Sequence, residues 1–157
     1  MAITTDDMTK ARQIWGEQKV AISKAYEEGG LEAARTAARN HLDRNYAYDM
    51  GPVMFKPTLA SGAQTFRPTK EGALAYFVGH SEDYPLDAGF AIRGWRSMES
   101  ITSAEFIEGD IAMWMGWVML TDKDGAVTKV DKSFGYKKDA EGVLRIVLHH
   151  SSLPFQP

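Results

Sequence analysis

Between Ile111 and Leu120 the chain runs Ile-Ala-Met-Trp-Met-Gly-Trp-Val-Met-Leu, without one charge. Side chains of a strand alternate between two faces. One column is then Ile111, Met113, Met115, Trp117 and Met119; the other is Ala112, Trp114, Gly116, Val118 and Leu120. Neither column suits water, whereas an antiparallel sheet in a monomer usually keeps one wet face. The pattern therefore asks for two covers. Helices of the same chain can supply one, and a second copy of the chain can supply the other. A homodimer through the outer sheet face is the expectation.

The flanking segments extend the sheet. Strands are expected at roughly 88–102, 105–121, 126–138 and 143–152, with Asp122-Lys123-Asp124-Gly125 and Asp139-Ala140-Glu141-Gly142 as turns. A shorter strand, Val53-Met54-Phe55-Lys56, follows Gly51-Pro52. Upstream the period is helical. Met8, Ala11, Ile14, Trp15, Ile22, Ala25 and Tyr26 form one stripe after a cap at Thr5-Asp6-Asp7, and Gly29-Gly30 can end that helix. A second helix is expected from about Leu31 to Tyr46, and a third, capped by Thr69, over 70–78. Helices first and a long antiparallel sheet afterwards predict an α+β fold. At 157 residues, a single domain over 1–157 is expected.

Composition narrows the chemistry. The chain has no cysteine, which removes thiol catalysis, disulfides and thiolate-bound zinc. A formal net charge of -3 provides no basic footprint for nucleic acid. No apolar run is long enough to span a membrane, and Met-Ala-Ile-Thr-Thr-Asp-Asp does not read as a secretory leader, so a cytoplasmic location is expected. No metal and no cofactor are expected. His149 and His150 are neighbours on a strand, so their rings diverge, and His41 and His80 lie far off in sequence.

Several residues suit a pocket between sheet and helices. Lys132 shares a column with Val130, Phe134 and Tyr136, and His150 one with Leu144, Ile146 and Leu148; His149 lies in the opposite column. Polar groups in apolar columns need partners or a wet cavity. His150 and Tyr136 are the candidate acid–base pair. Lys56 in Lys56-Pro57-Thr58 and Arg67 in Arg67-Pro68-Thr69 are candidate anchors for an anionic ligand. Trp95, Trp114, Trp117 and His149 are candidate ligand-binding wall residues. The bland alternative for each is packing, capping or a solvated cation.

The run Phe134-Gly135-Tyr136-Lys137-Lys138-Asp139, then Gly142-Val143-Leu144-Arg145-Ile146-Val147 and His149-His150-Ser151-Ser152, resembles the closing hairpin of SnoaL-like members of the nuclear transport factor 2-like superfamily. Within that group it looks closest to the association domain of calcium/calmodulin-dependent protein kinase and its free-standing bacterial relatives. The resemblance implies a cone-shaped barrel (the cystatin-like type), in which N-terminal helices pack on a curved antiparallel sheet. Isomerases, cyclases, dehydratases, binders and assembly domains share it, so it constrains function weakly. The expectation is a pocket protein for a small organic molecule, an anion among the candidates, with isomerase, cyclase or lyase chemistry as its catalytic form. The alternative is a homo-oligomeric assembly module without catalysis.

Overall fold

The computed structural model describes residues 2–157. Helix α1 (Thr5–Asn45) is followed by strand β1 (Met54–Lys56), helix α2 (Lys70–Val78) and strands β2 (Trp95–Glu108), β3 (Ile111–Asp122), β4 (Val127–Lys138) and β5 (Leu144–Ser152). The sheet order is β1-β5-β4-β3-β2. All neighbours are antiparallel except β1 and β5, which run parallel, with Phe55 beside His149.

The cap of α1 lies one residue earlier than the sequence suggests. Thr4 Oγ1 accepts from the Asp7 amide at 3.1 Å, and the Asp7 carboxylate accepts from the Thr4 amide at 3.0 Å, a reciprocal capping box. The two expected N-terminal helices abut without a loop. Gly30, at φ 80° and ψ -165°, kinks the element where Gly29-Gly30 is expected to end a helix. Helix α2 starts where expected, with Thr69 Oγ1 accepting from the Gly72 amide.

Two boundaries in the sheet differ from expectation. The segment before Trp95 is a short 3₁₀ turn over Phe90–Ile92 rather than strand. The β2–β3 turn falls at Gly109-Asp110, where Gly109 has φ 60°, and not near 103–104. The polar stretch Thr102-Ser103 resembles a turn but forms a bulge, across which the register with β3 slips between Thr102 and Ala104.

The two columns of β3 separate as the alternation requires. Ala112, Trp114, Val118 and Leu120 are buried, while Ile111, Met113, Met115 and Trp117 are exposed. The inner column packs with Val130, Phe134 and Tyr136 of β4, Ile146 of β5, and Met8, Trp15 and Ile22 of α1. Helix α1 thus fills the concave side of the sheet and α2 covers its end.

Arg67, expected as an anion anchor, holds loops together instead. Its guanidinium forms a bidentate pair with Asp87 at 2.7 and 2.8 Å and also donates to the carbonyls of Gln64 and Gly72. Both side chains of the pair are buried, so neither charge has water as an alternative partner. Asp87→Ala is expected to cost about 3–5 kcal/mol in urea unfolding, because it strands the guanidinium. A loss below about 1 kcal/mol would put this pair with exposed ones.

Candidate functional site

The inner face of β5 carries His149 and Ser151, two residues apart and both buried. Across the β4 ladder Ser151 is directly opposite Lys132, and His149 opposite Phe134. Directly opposed residues of an antiparallel pair have Cβ atoms about 4.5–5.5 Å apart, so Lys132, His149 and Ser151 form one patch. On the other side β1 brings Phe55 flat against the His149 ring, centroids 4.4 Å apart. The chain then turns through Pro57 and delivers Thr58 to Ser151, their hydroxyls 2.6 Å apart.

A third hydroxyl joins them. Tyr76 of α2 accepts from the Leu59 amide at 3.1 Å, and its oxygen also interacts with the Thr58 side chain. Burial pushes the Tyr76 phenol up to about 12, so it stays a hydroxyl at any physiological pH. Lys56 stands behind the cluster. Its ammonium donates to the carbonyl of Ser151 at 2.9 Å and to that of Thr58 at 3.4 Å, bracing the two backbones that carry the hydroxyls.

Beneath the hydroxyls lies a layer of nitrogen bases. Lys132 Nζ is 3.0 Å from His149 Nε2, His149 Nδ1 is 2.8 Å from the Tyr46 hydroxyl, and Trp15 Nε1 donates to that same hydroxyl at 3.0 Å. Lys19, from the next turn of α1, lays its nitrogen 3.0 Å from the centroid of the Phe77 ring and 5.0 Å from that of Trp15. Lys19 is 1% exposed, His149 3% and Lys132 4%. Among the described residues, no carboxylate hydrogen-bonds to Lys19, Lys132, His149, Thr58, Tyr76 or Ser151.

Burial without a counter-ion disfavours charge on every one of these bases. Desolvation holds His149 well below the usual imidazole range, and the neighbouring lysines push it the same way. Desolvation likewise holds His41 and Lys19 well below their ordinary values. Lys132, from desolvation alone, is pushed down to about 7.

The structure rearranges the residues anticipated above. His149, not His150, points inward. His150 is exposed and borders a shallow outer pocket with Lys56, Met54 and Phe66, because β5 enters the sheet in the register that buries the odd-numbered positions near its end. Tyr136 is inside, but its hydroxyl has no hydrogen-bond partner, and it approaches Arg12 rather than a histidine. Trp114 lies inside, with Nε1 donating to Thr102 Oγ1. Trp95 is core, with Nε1 donating to the Phe90 carbonyl. Trp117 is on the outer face, 43% exposed, with Lys129 over its ring and Asp131 accepting from its Nε1.

Thr58, Tyr76, Lys19 and Tyr46 are absent from the sequence-derived candidates. Thr58 and Ser151 look like turn and strand-end hydroxyls. Lys19 carries a signal, falling between Trp15 and Ile22 on the buried stripe of α1. A surface cleft of about 710 Å³ is a separate feature beside Asp49, Lys70 and Arg145. Arg145 is tied there to Asp49 and to the Tyr46 carbonyl.

The chain as a whole is similar to known proteins. The model of a family described as metal-independent carbonic anhydrase matches residues 6–153. A metal-independent carbonic anhydrase from Nostoc sp. is 48% identical over 155 residues, 99% of this chain and 76% of the relative. The crystal structure of an iota-carbonic anhydrase from a cyanobacterium, complexed with bicarbonate, superposes with a TM-score of 0.98 at 48% identity, covering 99% of this chain and 95% of that one. A calcium/calmodulin-dependent protein kinase II association-domain protein from Xanthomonas campestris gives 0.54 at 20% identity, over 90% and 83% of the two chains. A nuclear transport factor 2-like protein from Salmonella enterica gives 0.50 at 14%, over 95% and 94%. These last two share the fold.

A depressed lysine leaves a mark on stability. The folded Lys132 titrates at about 7 and an unfolded lysine near 10.4, so between these values the unfolded chain binds more protons and stability rises with pH. The penalty is complete below about pH 7 and gone above about 10.4. Urea unfolding of Lys132→Met and the parent should therefore diverge: the variant's relative stability at pH 7 falls by on the order of 4 kcal/mol by pH ~10. Parallel profiles would mean that Lys132 is charged in the fold.

Proposed function

The chain belongs to the metal-independent carbonic anhydrase family, and from that premise we propose that it interconverts carbon dioxide and bicarbonate, holding the anion among Thr58, Tyr76 and Ser151. The observation that carries this reading is the meeting of three buried hydroxyls in a site without a carboxylate, above a layer of nitrogen bases.

The chemistry is carbon dioxide plus water giving bicarbonate and a proton. Carbon dioxide is small, neutral and apolar, and it enters a cone walled by Phe55, Phe77, Trp15 and Phe134 without a desolvation penalty of its own. Water needs hydrogen-bond partners there, and hydroxyls serve both as donors and as acceptors. As the water oxygen bonds to carbon, negative charge grows on the carbon dioxide oxygens. Fixed donors aimed at that charge in a dry site lower the barrier, each removable donor accounting for roughly a hundredfold in rate. The Thr58–Ser151 hydrogen bond opens to receive the anion, and Lys56 keeps the two backbones in place meanwhile.

Carboxylates near the cluster would repel bicarbonate, and Asp87, the one that influences Tyr76, is neutralised by Arg67. Among the described residues no three His, Cys, Asp or Glu side chains gather in the manner of a metal site, and in this reading hydrogen-bond donors supply the polarisation. Trp114 and Tyr136 complete the apolar wall in this reading.

The outer sheet face supports a homodimer as part of the same proposal. Ile101, Phe106, Met113, Met115 and Trp117 are all exposed on β2 and β3, a patch of the kind that monomers seldom leave uncovered. No helix of the described chain is long and apolar enough to cross a membrane. We read the molecule as a single-domain cytoplasmic enzyme.

Oxygen-isotope exchange between carbon dioxide and water, followed by mass spectrometry on chelator-treated protein, tests the activity. The parent should accelerate exchange, and Thr58→Ala and Ser151→Ala should each lose roughly a hundredfold in kcat/KM. Exchange at the buffer rate by the parent would reject the reading. Met115→Glu should convert dimers to monomers in sedimentation equilibrium while leaving exchange intact, and a parent that sediments as a monomer would remove the interface.

A further inference from the structure

We propose that Lys132 is the proton acceptor of the hydration step, presented as a neutral amine by a relay that runs from Trp15 through Tyr46 and His149. This rests on the carbonic anhydrase reading, which names the reaction but leaves the destination of its proton open.

Hydrogen-bond accounting carries the assignment. The Trp15 Nε1–H can only donate, so the Tyr46 oxygen accepts from it. The single Tyr46 hydroxyl proton then has one partner in reach, His149 Nδ1. A neutral imidazole that accepts at Nδ1 carries its proton at Nε2. That Nε2–H faces Lys132 Nζ at 3.0 Å, and only an uncharged amine has a lone pair with which to accept it. An ammonium would set donor against donor. The depressed titration of Lys132, from burial, agrees with this independent argument.

Position does the rest. Lys132 is directly opposite Ser151 in the β4–β5 ladder, and both side chains face the interior. The groups that face the amine are His149 Nε2 of β5 at 3.0 Å, the Trp15 and Phe134 rings with centroids 4.4 and 5.6 Å away, Lys19 of α1, close enough that Lys132 lowers its titration, and Ser151 across the ladder. None is a carboxylate, and among the bases Lys132 is the one placed directly opposite a hydroxyl of the cluster. The Lys56 ammonium already donates to two carbonyls. In the step, the water O–H bond breaks as oxygen bonds to carbon, and one C=O π pair moves onto oxygen to complete bicarbonate. The proton joins the Nζ lone pair, which swings from His149 toward the hydroxyl cluster. The ammonium so formed leaves Nε2–H without an acceptor, so the proton passes on to a buffer base. A group poised near neutrality suits this cycle, because it is deprotonated before each turnover and gives the proton up after it.

His149 and Tyr46 are positioning residues in this scheme. Three measurements test it. In isotope exchange, Lys132→Met should lose at least roughly a hundredfold in kcat, with KM for bicarbonate within about threefold of the parent. Lys132→Arg should not restore the rate, being charged at all working pH, whereas added imidazole should partly rescue Lys132→Ala. His149→Phe removes the donor to the amine while keeping a ring in its place, and the acid limb of its hydration-rate profile should move to higher pH. Independently of activity, nitrogen NMR of His149 in the parent should show the tautomer protonated at Nε2. A Lys132→Met enzyme within threefold of an active parent overturns the assignment of Lys132 and leaves the proposed function standing. His149 protonated at Nδ1 overturns the relay. A parent inert in exchange overturns the function, and the role of Lys132 in it, whatever the tautomer.

Discussion

Two lysines and two histidines share a buried interior in which, among the described residues, no carboxylate pairs with any of them, and burial withholds solvent from the charges they would carry. An isolated buried ammonium is so costly that the group gives up its proton first. Burial therefore biases these bases toward their neutral forms, at a cost in stability wherever they are protonated. Lys19 against Phe77 and Lys132 against Trp15 are contacts of amine nitrogen with ring faces. The apolar wall proposed to receive carbon dioxide is the same wall that lowers the titration of the amines.

The sheet supplies the precision. Alternation on β5 sends His149 and Ser151 inward and His150 outward, and pairing with β4 fixes which residue meets each of them. The parallel addition of β1 then covers His149 with Phe55 and carries the chain to Thr58. A one-residue slip of β5 would turn His150 into the cone and expel both His149 and Ser151. The ladder is thus as much a part of the site as the hydroxyls.

Much of this architecture was open to a reader of the bare chain. The unbroken apolar columns around Trp114, the Asp-Lys-Asp-Gly turn and the Thr69 cap each act locally, and local physics is what pattern reading captures. The bulge at Thr102–Ala104 was opaque, because a polar pair inside a strand and a polar pair at a turn look alike until pairing with β3 is known. The resemblance to nuclear transport factor 2-like proteins holds for the fold, but a fold shared by so many chemistries cannot select one. Within the site, Lys132 and His149 were visible as polar residues in apolar columns. Which histidine faces inward depends on register, set by contacts far away in the chain. Thr58 is visible only as the hydroxyl of Lys56-Pro57-Thr58 and Tyr76 not at all: no local spacing relates either to Ser151, only the closure of the cone.

The order β1-β5-β4-β3-β2 also governs how the molecule comes into being. β5 is the last strand along the chain, yet it is inserted between β1 and β4, so an edge made early must wait for its interior neighbour. Until that insertion, the lower part of the cone is unlined and Phe55 has no ring to lie against. Such long-range closure slows folding relative to helical designs. Because His149 and Ser151 both lie on that last strand, an incomplete chain lacks the inner wall they form, and the candidate site is the last part of the molecule to be assembled.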